Sequence, residues 1–267
     1  MKKLAKAYLG LVLMFLYVPI FVLIVFSFNT TKSRTVMSGF TLDWYVKLFH
    51  NEMIMSSLMN TILIAVAASI ASTILGTLAA IGIHNMKKLP RTIVMNVTNF
   101  PIINPEIVTG VSLMLLFVFF AARMHFEFGF WTLLIAHITF DVPYVILNVM
   151  PKFRQMDPFL YEAAQDLGCS PVKAFFKVVL PEIMPGIISG FLMAFTYSLD
   201  DFIISYFTCG PNTQTLPITI YSMTRRKVSP EINALSTIIF AVVVIVLIVK
   251  NLIERRHNAK IGKEDMA

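Results

Sequence analysis

"MDPFLYEAAQDLGCSPVKAFFKVVLPEIMP", Met156 to Pro185, begins too polar for lipid and carries too many helix signals for a plain linker. Asp157 is placed to cap a helix with Pro158 at its first position, and Gly168 is placed to end it in the left-handed conformation. Ser170 and Pro171 repeat the start signal, and Pro181 is expected to limit the second helix. The expected element is a helix–turn–helix of about six turns, with Glu162 and Asp166 one turn apart on its first helix. Connections in helical bundles usually run about 2–8 residues. A folded pair between two apolar segments therefore reads as a docking surface for a soluble partner.

The flanking sequence is that of a membrane protein. Hydrophobic residues make up 57% of the 267 and charged residues 14%, with a mean hydropathy of +0.76, far from the balance of a soluble domain. Crossing a hydrocarbon core takes roughly 20 helical residues. Six stretches meet that length, at residues 8–28, 58–84, 92–120, 130–150, 186–207 and 232–249. The first follows "MKKLAKA" as a signal peptide would, yet its apolar run is too long and no small-residue cleavage site follows, so a retained anchor is expected. The expected fold class is an all-α membrane protein with six transmembrane helices.

Most of the 22 Lys and Arg fall on one side if the N-terminus is cytoplasmic, in residues 2–6, 87–91, 152–177 and 250–263. Both termini are then expected inside. The net charge of +7 is not a nucleic-acid footprint, because the basic residues lie in short clusters between apolar stretches. Cys169 and Cys209 fall on opposite sides of the membrane and cannot pair, and no spacing points to a metal site. The expected organisation is an anchor and external loop over 1–56, a transmembrane core over 57–250 containing the cytoplasmic loop 151–185, and a tail over 251–267.

Four acids fall within the expected spans: Glu106, Asp141, Asp200 and Asp201. A charge at the centre of a spanning helix costs about 2.5–3.5 kcal/mol on insertion scales, so such residues face a bundle interior or a watery path. No Lys or Arg lies within the same boundaries to neutralise them. Glu106 sits between "PIINP" and "TG", where Pro101 and Pro105 should disturb the helix. Tyr197, Ser198, Asp201, Ser205 and Thr208 follow helical spacing as a polar stripe, and Asp200 points about 100° away. A hydrated path for a cation accounts for these acids. Tyr197, Tyr206 and Trp44 can add cation–π attraction of about 0.5–2 kcal/mol each.

The competing reading is that the acids are hydrogen-bonded and hold helices in register. His137 and Asp141, four residues apart, read as a polar contact, with a proton relay or metal pair as the alternative. Trp44 lies in "GFTLDWYVKLF", where Asp43 is placed to cap a short helix, and serves either as an interfacial anchor or as a cation contact. Ala68, Ser72, Gly76 and Ala80 recur every fourth residue as a strip for close helix packing.

"EAAQDLG", continuing through "FFKVVLP", resembles the EAA motif of the permease subunits of binding-protein-dependent ABC importers. Glu162, Ala163, Ala164, Gly168 and Leu180–Pro181 carry the match, and Val178 stands where that family often has Ile. "GFTLDWY", "AHITFDVPYV", "AFTYSLDDFIISYFTCGP", "LPITIYSM" and "VSPEINALSTI" extend the resemblance, in order, to PotC-type permeases of spermidine/putrescine importers. The resemblance implies a type I ABC importer permease fold in the bacterial cytoplasmic membrane. It also implies a coupling helix, carrying Glu162, Ala163, Ala164, Gly168 and Pro181, that seats in a groove of an ATPase subunit. The partners implied are a second, PotB-like permease, PotA-like ATPase subunits that bind ATP and Mg, and an external PotD-like polyamine-binding protein.

On this reading the chain is not an enzyme and holds no cofactor. It lacks a Gly-rich phosphate loop ending in Gly-Lys-Ser/Thr, so nucleotide chemistry is expected on a partner. The expected function is translocation of polyamines along an acidic, aromatic path of Asp201, Asp200, Glu106, Tyr197, Ser198 and Trp44. The alternatives are the same architecture importing another solute, a proton-coupled carrier using His137, Asp141 and Glu106, and a membrane-embedded enzyme.

Overall fold

In lipid the backbone must satisfy its own hydrogen bonds, and the uncharged stretches accordingly fold as long helices. The computed structural model describes residues 2–31, 36–157, 159–226, 230–241 and 244. Among these residues all regular structure is helical, apart from an isolated antiparallel bridge between Asn29 and Phe40. The helices are α1 (Lys2–Phe26), α2 (Asp43–His50), α3 (Glu52–His84), α4 (Lys88–Ile103), α5 (Glu106–Met124), α6 (Phe130–Gln155), α7 (Leu160–Asp166), α8 (Pro171–Ala174), α9 (Leu180–Asp200), α10 (Ile203–Thr208) and α11 (Leu216–Arg226). Five segments among them are long and apolar enough to cross a membrane: Tyr8–Phe26, Glu52–His84, Glu106–Met124, Phe130–Gln155 and Pro171–Asp200. The sixth expected span, 232–249, is helical through residue 241, and beyond that point all but residue 244 lies outside the described residues. The tail 251–267, Pro158 and the basic residues Lys32, Arg34 and Lys227 also lie outside them.

Three expected helices are interrupted or extended. The third span is two helices, because Pro105 has no N–H and forces Asn104 out of the helical region to ψ 136°. Pro101, by contrast, is accommodated inside α4. The fifth span ends at Asp200, where Asp201 turns to ψ 123°, and the chain restarts as α10. Pro181 does not stop the second loop helix. A π-helical turn at Phe175–Val179 joins α8 to α9, and this wider turn fits the proline ring that would otherwise strike the carbonyl four residues back.

The chain divides into two units, Met1–Met55 with Ile220–Ala267, and Ser56–Thr219. In the first, α2 begins at Asp43 itself. Asp43 is therefore not the cap; its N–H donates to Thr41 Oγ1 at 3.1 Å, and no side chain caps the helix. Trp44 is buried, and its Nε1 donates to the Asn29 carbonyl at 2.6 Å. Ser27 and Tyr45 hydroxyls lie 2.7 Å apart and share a hydrogen bond.

In the second unit α6 and α9 pack along one another around Val145, Val149, Met150 and Ile183, which are essentially unexposed. The small-residue strip of α3 is buried as expected. Ala68, Ser72 and Ala80 have no exposed surface, and Gly76 lies against Val145.

Candidate functional site

The break between α9 and α10 shapes the site. A helix start leaves N–H groups without internal partners, and Asp201 satisfies two of them. Its Oδ1 accepts from the Ile204 N–H at 3.2 Å and its Oδ2 from the Ser205 N–H at 2.7 Å. His137 of α6 closes the arrangement from the other side. Its Nδ1 lies 2.6 Å from Ser198 Oγ, and its Nε2 lies 3.0 Å from Ser205 Oγ and 3.6 Å from Asp201 Oδ2. One imidazole therefore ties the end of α9 to the start of α10. This corrects the expectation that His137 pairs with Asp141 one turn away: the serine hydroxyls and Asp201 take both ring nitrogens.

Asp200, the last residue of α9, remains exposed. Glu106 is also exposed and opens α5, immediately after the Pro105 break, where a carboxylate is favoured by the free N–H groups of a helix start. It lies within electrostatic range of both Asp201 and Asp200. Close packing of α5 on α10 accounts for this: a Cβ added at Gly110, one turn after Glu106, would stand 2.9 Å from the Phe207 ring. A larger residue there would hold the two helices apart.

Aromatic rings border the acids. Tyr197 and Tyr144 have centroids 4.5 Å apart, and Phe140 lies 5.2 Å from Tyr144 and 6.2 Å from Tyr197. Tyr144 was not among the expected path residues. Its sequence signal was its position four after Phe140 on α6, which puts both rings on one face. The expected stripe is only partly realised. Tyr197 and Asp201 take part in the cluster, whereas Ser198, Ser205 and Thr208 are buried and engaged in hydrogen bonds. Tyr206 is half exposed. Trp44 belongs to the other unit, where the Lys47 ammonium lies 4.7 Å from the centroid of its ring.

The loop between α6 and α9 forms the second feature. Asp157 Oδ1 accepts from the Phe159 N–H at 2.9 Å before α7. The helix ends as expected on Gly168, at φ 84°. The Gly168 N–H donates to the Gln165 carbonyl and the Cys169 N–H to the Ala164 carbonyl, the paired bonds of a Schellman motif. Glu162 and Ala163 are exposed and Ala164 is buried. Phe159, Leu167, Val172 and Phe176 present large apolar surfaces outward. Beneath the loop lies a cavity of about 340 Å³ lined by His84, Asn85, Phe153, Tyr161, Glu162 and Phe175 among others. Pro181 lies in the first turn of α9 rather than at the end of a loop helix. Among the described residues no group of three or more His, Cys, Asp or Glu is arranged to hold a metal ion.

Residues 72–261 match the family described as binding-protein-dependent transport system inner membrane component. The chain is 41% identical over 236 residues to the putrescine transport system permease protein PotI of Escherichia coli strain K12, covering 87% of this chain and 84% of that protein. It is 35% identical over 255 residues to the spermidine/putrescine transport system permease protein PotC of Haemophilus influenzae, covering 96% and 98%. Its fold is similar to that in a crystal structure of a bacterial ABC transporter involved in the import of the acidic polysaccharide alginate, with a TM-score of 0.69, 14% identity and 95% of each chain covered. With a helical membrane architecture, the EAA-type loop and relatives matched along most of its length, this chain belongs to the family of binding-protein-dependent transport system inner membrane components.

Proposed function

We propose that this chain is a permease subunit of an ATP-driven importer that carries polyamines, spermidine or putrescine, into the bacterial cytoplasm. The observation that carries the reading is the convergence of Glu106, Asp200 and Asp201 beside Tyr144 and Tyr197. No Lys or Arg pairs with these acids among the described residues. A polyamine is a row of ammonium groups separated by methylenes, and spaced carboxylates with aromatic walls are its chemical complement. Several weak stations also allow release, which a single tight site would hinder. Names of relatives at 35% and 41% identity point to the same solutes.

Within this reading Asp201, Asp200, Glu106 and Tyr197 touch the cargo, and Ser198 positions His137. Trp44 acts as a cation-binding ring, already carrying the Lys47 ammonium as an internal example. Six spans place both termini in the cytoplasm, with the core over 57–250 and a tail over 251–267. The α7–α8 loop is the coupling element, with Glu162, Ala163, Ala164 and Gly168 at the contact and Pro181 behind it. ATP and Mg belong to PotA-like ATPase subunits. A PotB-like permease completes the pore, and a PotD-like protein delivers the solute.

Radiolabelled spermidine uptake into proteoliposomes holding the assembled transporter tests the assignment. The expected result is ATP-dependent accumulation, inhibited by putrescine and unaffected by sugars, amino acids or anions. Accumulation that survives removal of the ATPase subunits and follows a proton gradient would overturn it.

A further inference from the structure

Asp141 stands apart from the other acids. It lies on α6 one turn beyond His137 and has no exposed surface. Neither of its carboxylate oxygens has a hydrogen-bond partner among the described residues. Burying a polar group without a partner is costly, and burying a lone carboxylate costs more. The Asp201 side chain is nearly buried too, but two backbone N–H groups and His137 hold it in place. Helices α3, α9 and α10 contain no Lys or Arg, and among the described residues no Lys or Arg forms an ion pair with Asp141. Packing alone therefore leaves Asp141 unexplained.

Its neighbours indicate what it awaits. Asp141 lies within electrostatic range of Asp201. Tyr144, three residues further along α6, lies within range of both Asp141 and the exposed Glu106. The acids thus form a graded series, with Glu106 and Asp200 exposed, Asp201 nearly buried and Asp141 wholly enclosed. Tyr144 and Tyr197 pack within this series as a tilted pair of rings. An ammonium group brings three N–H donors and one positive charge, which matches two unpartnered acceptor oxygens on one carboxylate.

We propose that Asp141 is an inner station for an alkylammonium group, closed off beside Tyr144 and Tyr197 in this conformation. It receives the leading ammonium of a polyamine while a trailing one remains with Glu106 and Asp200. The proposal rests on the polyamine reading above and adds to it a carboxylate that lies outside the expected path. No covalent step is involved. The cation exchanges water for Asp141 and Asp201 oxygens, in a low-dielectric setting where the attraction is stronger than in water.

The test uses the complete transporter in proteoliposomes, with its ATPase and binding protein, comparing wild type, Asp141→Asn and Asp141→Glu. Spermidine uptake and the spermidine-induced rise in melting temperature are both measured. Asp141→Asn is isosteric, and if the residue is merely structural, removing a buried unpartnered charge leaves stability equal or higher and transport unchanged. The expected result is an assembled Asn complex whose spermidine uptake falls by about tenfold or more and whose melting temperature no longer responds fully to spermidine. Partial recovery of both in Asp141→Glu is also expected. Wild-type uptake by Asp141→Asn, or failure of that complex to assemble while Asp141→Glu assembles without transporting, overturns the station and leaves the polyamine reading standing. Absence of spermidine uptake by the wild type removes that reading and the station with it.

Discussion

His137 Nε2 stands 3.6 Å from Asp201 Oδ2, across the gap where α9 ends and α10 begins. The same ring holds Ser198 on one side of the gap and Ser205 on the other. A break in a membrane helix exposes backbone groups that must find partners within the protein; Asp201 accepts from two of them, and His137 braces the Ser198 and Ser205 hydroxyls beside it. Asp201, which we propose touches the cargo, thus also repairs the break in the helix.

His137→Ala is expected to destabilise the chain. It leaves the buried Ser198 and Ser205 hydroxyls without their ring partner, at a cost of about 1–3 kcal/mol for such a loss. His137→Gln, which can both donate and accept, should recover part of this. Melting of the purified complex measures it, and equal stability of His137→Ala and wild type would show that the ring is not the tie.

Asp201→Asn separates the helix-start role of that residue from its proposed role toward the cargo. The amide oxygen can still accept from one helix-start N–H, so the structural loss should stay near about 1 kcal/mol. The negative charge is gone, and polyamine uptake is expected to fall by about tenfold or more while assembly persists. Glu106→Gln, at an exposed position, should raise the half-saturating concentration with a smaller effect on the maximal rate. Full transport by Asp201→Asn would favour a role in holding helices in register.

Gly168 occupies a backbone conformation at φ 84° that L side chains adopt at a cost of roughly 1–2 kcal/mol. Gly168→Val should distort the end of α7, where Leu167 lies exposed. Glu162→Lys reverses a charge on the same surface without touching the turn. Both are expected to weaken capture of the ATPase subunits and to reduce ATP-driven uptake. Undiminished co-purification together with undiminished uptake would remove the coupling role from this loop.

Local chemistry was the most legible part of the chain. Gly168 announced the end of α7, Pro105 announced the break before Glu106, and the small-residue strip of α3 announced its buried face. The break at Asp201 was hidden, because apolar residues with helical spacing continue on both sides and no Pro or Gly marks it. Only the tertiary partners of Asp201 reveal that its side chain serves the next helix. Pro181 misled for the opposite reason. A strong local stop signal was overridden by a π-helical turn, a feature that depends on backbone adjustment rather than residue type. The spacing of His137 and Asp141 allowed a contact, and the choice between that contact and Ser198, Ser205 and Asp201 was made by the packing of α6 on α9 and α10.

Gly110 sets the distance between α5 and α10, and through it the place of Glu106. A Cβ there would meet Phe207 at 2.9 Å and the Ile203 carbonyl at 3.5 Å. Gly110→Ala asks the ring to shift slightly, while Gly110→Val adds branched bulk against backbone and should cost about 1–3 kcal/mol in overpacking. Glu106 lies one turn earlier on α5, so separating the helices moves its carboxylate away from Asp200 and Asp201. Gly110→Val is expected to reduce polyamine uptake more than Gly110→Ala, in the same order as their losses in melting temperature. If Gly110→Val transported as well as wild type despite a lowered melting temperature, the spacing between Glu106 and the Asp pair would not govern uptake.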